Sequence, residues 1–156
     1  MTDVAPIKPT RVVLIGWFLI FVALISIFGI IGDYNKVSII PEPIKAVYYA
    51  IGLILSILLL VASIGFLKLK KWSRSTLEFL TWVHLAESLL LPIMMVGVWP
   101  DRIALYVESV VAHPPNENEL TFFTVFIALF CAILFIIGAM ILFMLRSDKV
   151  RNAVIY

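Results

Sequence analysis

The stretch that decides the fold is Ser75–Val98, STLEFLTWVHLAESLLLPIMMVGV. At 1.5 Å of rise per residue it is long enough to cross about 30 Å of hydrocarbon as a helix. It also carries Glu78, His84 and Glu87, whereas no other apolar block of the chain holds an ionisable carboxylate, imidazole or amine. On insertion scales an acid at the bilayer centre costs about 2.5–3.5 kcal/mol, and each Leu, Ile, Val or Phe returns roughly 0.3–0.6. The apolar residues of the stretch therefore nearly cancel against its three polar ones. Such a segment inserts only with help from its neighbours, and its polar side should face other protein or a wet cavity.

Outward from this stretch the rest of the chain reads the same way. Apolar residues make up 63% of the sequence and charged residues 14%, with a mean hydropathy of +1.10. Soluble domains lie near 45–50% and 25%. The apolar residues fall into four blocks, about 12–31, 46–67, 75–98 and 120–145, each of spanning length. The expected fold class is an all-α membrane protein, one membrane domain over 1–156, with four transmembrane helices as two antiparallel hairpins. The first block exceeds the 7–15 residues of a signal-peptide core and ends in SIFGIIGDY, without an A-x-A cleavage pattern. It reads as a retained helix. Gly32, Asp33, Pro41 and Pro43 mark a first exit loop over 32–45. A second loop, 99–119, contains DRIALYVESVVAH, suited to a short surface helix with Asp101 in its first turn, then the turn-rich PPNENE. Small residues four apart, Gly52 with Ser56 and Ala128 with Ala132, permit close helix approach.

Charge placement orients the chain. Lys8 and Arg11, then Lys68, Lys70, Lys71 and Arg74 in the 68–74 loop, then Arg146, Lys149 and Arg151, are nine of the 12 Lys and Arg and fall on one side. The opposite loops hold most of the acids, including Glu42, Glu108, Glu117 and Glu119. The positive-inside rule then places both termini and the 68–74 loop in the cytoplasm. Lys68, Lys70, Lys71 and Arg74 are candidates for lipid-headgroup contact, beside Trp72 as an interfacial anchor.

At 100° per residue, Thr81, His84 and Ser88 form one polar stripe on the third helix, with Glu87 flanking it. His84 and Glu87 are spaced i,i+3 and can interact. These four are the candidate protonation site or polar network. Partners for Glu87 could be His84, Ser88 or a facing hydroxyl such as Ser56, Ser63 or Thr124. Glu78 lies on the opposite face, four residues after Arg74, and the two form a candidate interfacial ion pair. Pro92 removes one helical hydrogen bond and is a candidate kink beyond the stripe.

Absent motifs exclude several classes. The only cysteine, Cys131, allows no intrachain disulfide, and only two histidines, His84 and His113, are present. No P-loop, G-x-S-x-G, H-E-x-x-H or dinucleotide pattern occurs, so no catalytic residue, cofactor or metal site is expected. His113, Glu117 and Glu119 could meet a divalent cation, although a plain acidic loop accounts for them. The expected partners are the lipid bilayer and another membrane protein or a second copy, with no nucleic acid.

The order of parts carries a resemblance. A second helix ending in LKLKKWSR and a fourth ending in LRSDKVRNA resemble the small, uncharacterised four-transmembrane-helix proteins of bacterial inner membranes, in which a basic-Trp-x-Arg turn joins helices two and three. The resemblance implies a multi-pass protein of the bacterial inner membrane and brings no activity or site residue with it. Two functional classes are then open. One is an accessory or interaction subunit, with the polar stripe as interhelical glue. The other is a small proton-coupled transporter acting as an oligomer, with Glu87 as its protonation site. An enzyme is a distant third.

Overall fold

The structure, a computed structural model, describes residues 9–33, 42–97 and 100–153. The lead-in 1–8, most of the first exit loop (34–41) and Trp99 lie outside them. Among the described residues every regular element is helical: α1 (Thr10–Asp33), α2 (Glu42–Leu67), α3 (Lys71–Gly97), α4 (Pro100–Val111), α5 (Glu117–Arg146) and α6 (Asp148–Ala153). Four of them, α1, α2, α3 and α5, are long and apolar enough to cross a membrane. This is the make-up of a multi-pass membrane protein. Of the four, α3 is the least apolar, because it alone carries Glu78, His84 and Glu87.

The 68–74 segment is tighter than a seven-residue loop. Lys71–Arg74 already belong to α3, leaving only Lys68–Lys70 as the turn. The Lys70 N–H donates to Gly65 O at 3.0 Å and the Leu69 N–H to Phe66 O at 2.9 Å. This paired closure satisfies two carbonyls at the end of α2 and requires a left-handed residue between them. Leu69 takes that place with φ 58°. A leucine there costs about 1–2 kcal/mol relative to a right-handed conformation. Burial offsets it, since Leu69 is only 7% exposed and lies in the main core cluster. The Ser73 hydroxyl then donates to Lys70 O and closes the first turn of α3.

That core sits at the basic end of the molecule. Val12, Ile15 and Leu19 of α1 meet Ala62 and Phe66 of α2, Leu77 of α3, Leu145 of α5 and Val150 of α6. The start of α1 thus packs on the end of α2, and the start of α3 on the end of α5. The short helix α6, hidden in the sequence within a basic tail, is anchored by fully buried Val150. At the other end α4 lays Ile103 and Val107 against Leu91 of α3 and Leu120, Phe123 and Ile127 of α5. Its apolar stripe is therefore covered by protein, with Asp101 in its first turn. Pro43 lies in the first turn of α2, where a missing N–H has no helical partner to lose.

Glycines decide how closely the spans approach. A Cβ on Gly16 of α1 would collide with the Leu67 side chain, and one on Gly138 of α5 would lie 3.0 Å from Leu85 Cδ2. At Gly65 it would lie 2.8 Å from the Trp72 ring. Ala128 and Ala132, by contrast, are exposed. Gly16→Ala should lower thermal stability in detergent micelles by about 1–2 kcal/mol through overpacking against Leu67. Gly29→Ala, with nothing within 4 Å of the added atom, should leave stability unchanged or raise it slightly. Equal melting temperatures for the two variants would contradict this packing.

Candidate functional site

The polar residues of α3 divide between its two neighbours. Glu87 turns to α2, where the Tyr48 hydroxyl donates to its Oε1 at 2.7 Å. Both residues are exposed on the outer surface of the four-helix body. His84, one turn earlier, lies on the α5 side: a Cβ on Gly138 would be 3.5 Å from its Cδ2. Its side chain is also exposed. The i,i+3 spacing that brings His84 and Glu87 near one another also splays them by about 60°. Among the described residues no hydrogen bond joins the two.

Thr81 and Ser88 have the reverse environment. Both are buried, and each hydroxyl donates back to its own helix, Thr81 to Leu77 O at 2.7 Å and Ser88 to His84 O at 2.8 Å. Ser56 and Ser63 of α2 do the same, to Gly52 O at 2.8 Å and Leu59 O at 2.6 Å. A short hydroxyl in a helix reaches the i−4 carbonyl without help from a second helix. None of these four protons is therefore offered to Glu87. Thr124 lines a narrow apolar gap with Pro92, Val96 and Ile103, under α4. The stripe expected to be continuous thus separates into a buried, self-satisfied pair and an exposed pair, His84 and Glu87, directed outward.

A second cluster lies nearer the basic end. Arg74 Nη2 is 2.8 Å from Glu78 Oε1 one turn later, and Arg74 Nε donates to Leu145 O at 3.0 Å. The guanidinium thus joins a carboxylate on α3 to an end-of-helix carbonyl on α5, where helix carbonyls have no partner of their own. Arg146 approaches from α5, its Nε 3.8 Å from Glu78 Oε2 and its guanidinium 5.8 Å from the centre of the Trp82 ring. Two guanidiniums share one carboxylate here. Lys68, Lys70 and Lys71 are exposed beside the turn, and so is about half of Trp72.

The acidic loop is spent on helix capping. Asn116 accepts from the Glu119 N–H at 2.9 Å and Glu119 accepts from the Asn116 N–H at 2.9 Å, a reciprocal box that starts α5. His113 Nε2 is 3.6 Å from Glu119 Oε1. Among the described residues no three His, Cys, Asp or Glu side chains gather as a metal ion would require.

Tyr48 and Arg146 are the residues that the sequence does not single out as partners. Tyr48 reads as an interfacial ring and Arg146 as a topogenic charge; only the register between helices brings them to Glu87 and Glu78. The N-x-x-E spacing of Asn116 and Glu119 does carry a capping signal within PPNENE. No protein-family model, no curated protein and no solved structure matches the chain.

The bond between α2 and α3 has a measurable size. A double-mutant cycle of Tyr48→Phe and Glu87→Gln, read by unfolding in micelles, should give a coupling of about 0.5–1.5 kcal/mol, the range for interhelical hydrogen bonds in membranes. Strict additivity of the two changes would show that the hydroxyl and the carboxylate do not interact.

Proposed function

We propose that this chain is an accessory or interaction subunit of a membrane assembly. It sits in the inner membrane as two antiparallel helical hairpins, with both termini and the Lys68–Lys70 turn cytoplasmic. The charge asymmetry supports that orientation, and the resemblance of LKLKKWSR and LRSDKVRNA to bacterial four-span proteins supports the compartment. Lys68, Lys70 and Lys71 face the lipid headgroups.

One observation carries the reading: the Tyr48–Glu87 pair and His84 are exposed on the outside of the four-helix body. A carboxylate and an imidazole turned toward acyl chains are costly. A second protein seated on this face removes that cost by excluding lipid and supplying further hydrogen bonds. The same placement gives a second reading some support. In a homo-oligomer, Glu87 from several copies could face a shared proton pathway, and the chain would be a small proton-coupled transporter. The buried hydroxyls do not favour that reading, since Thr81, Ser88, Ser56 and Ser63 are each turned back on their own helices.

Native mass spectrometry of the protein, gently extracted from its own membranes, separates these outcomes. The subunit reading predicts a complex that contains a different polypeptide, and this complex should be depleted by Glu87→Leu. A homo-oligomer without other chains would overturn it in favour of the transporter reading. A monomer that keeps Glu87 and His84 against detergent alone would contradict both.

A further inference from the structure

The cluster at the basic end of α3 and α5 carries one more positive charge than it neutralises. Arg74 is fully engaged, with Glu78 at 2.8 Å and Leu145 O at 3.0 Å. Arg146 is not. Its contact with Glu78 is long, at 3.8 Å, and its side chain is 56% exposed. Its guanidinium lies by the half-exposed Trp82 ring, 5.8 Å from the ring centre. Glu78 stands about 10 Å along α3 from Lys71, and Trp82 about 16 Å. Long helical side chains lean toward the N-terminus of their own helix. That lean carries Arg146 inward along α5, toward the level of Glu78, and carries Trp82 toward it from α3. In a bilayer crossed by α3 and α5, with this end at the headgroups, the surplus cation would lie at the boundary between headgroups and acyl chains instead of extending into water.

We propose that the surface where Arg146 of α5 meets Glu78 and Trp82 of α3 binds the phosphate of an anionic phospholipid, with Arg146 as the principal ligand and Trp82 as the apolar wall beside the glycerol region. The guanidinium fork matches a phosphate in a bidentate way, and an aromatic ring beside it suits the interface. Arg74 and Glu78 act as positioning residues, since the carboxylate holds both arginines at one depth. Exposed Lys149 and Arg151 on α6 add to the local positive potential, against one exposed acid, Asp148. The site requires only this depth, so it does not depend on which leaflet the basic end occupies. It also relocates headgroup recognition from Arg74, which is occupied, to Arg146.

The test is lipid retention and titration followed by native mass spectrometry on the purified full chain, stripped of lipid in a neutral detergent. Phosphatidylglycerol should bind in preference to phosphatidylcholine. Arg146→Gln should weaken phosphatidylglycerol binding by about fivefold or more, and Arg146→Lys should also weaken it by losing the fork. Lys149→Gln, which removes an equal charge nearby, should change binding less than twofold on the same scale. Equal affinity for the two lipids, equal loss in Arg146→Gln and Lys149→Gln, or wild-type binding by Arg146→Lys would each overturn the proposal. Millimolar inorganic phosphate should not displace the lipid; full displacement would assign the site to free phosphate and also overturn it. Should Arg146→Gln fail to fold, Arg146→Lys and Trp82→Leu carry the same test, with weaker phosphatidylglycerol binding expected in both.

Discussion

A carboxylate carried into a bilayer must find a hydrogen-bond partner, and the two acids of α3 find theirs on different neighbours. Glu87 accepts from Tyr48 of α2, and Glu78 takes Arg74 of its own helix together with Arg146 of α5. Since α3 inserts only marginally by itself, these contacts bear on more than local geometry. They hold α3 between α2 and α5, and α1 is added through its packing on α2. A carboxylate left without such partners in hydrocarbon has no other donor to turn to.

Around that polar frame the apolar packing is sparse. Only 17–28% of the most apolar window of each spanning helix is buried within the chain. The buried part concentrates at the basic end, where α1, α2, α3, α5 and α6 converge, and at Ile103 and Val107 under α4. Gly16 and Gly65 set the close approaches at the basic end, and Gly138 sets the one against Leu85 midway along α3. The rest of the lateral surface is mostly Phe, Ile, Leu and Val, with Trp17, Trp82 and Met140 among them, as lipid or a membrane partner requires. His84 and Glu87 depart from that pattern, and this departure motivates the subunit reading.

Much of this is legible in the sequence, for physical reasons that differ by residue. A run of about 20 apolar residues has only one stable form in hydrocarbon, so the four spans read directly. The pairing of Arg74 with Glu78 is local, because i,i+4 neighbours meet on any helix. The Tyr48 bond is not local: it depends on how far α2 slides along α3, which glycines and bulky side chains settle between them. The same holds for Arg146, whose direction follows from its helix and not from its charge. The first turn of α3 reads as loop because Lys71 and Arg74 are charged, yet the left-handed Leu69 shortens the connection to three residues. Within the stripe, helical periodicity places Thr81, His84 and Ser88 within about 60° of one another, but it cannot foresee that the two hydroxyls are buried and satisfy themselves while His84 is exposed.

If the chain is a subunit of a membrane assembly, protein, and not lipid, covers the outward face bearing Tyr48, His84 and Glu87. A photo-crosslinking amino acid placed at position 84, activated in the native membrane, tests it most directly, with position 136 on the exposed face of α5 as the comparison. A discrete adduct with a second polypeptide is expected from position 84. Adducts with lipid alone from position 84, indistinguishable from those at position 136, would contradict it.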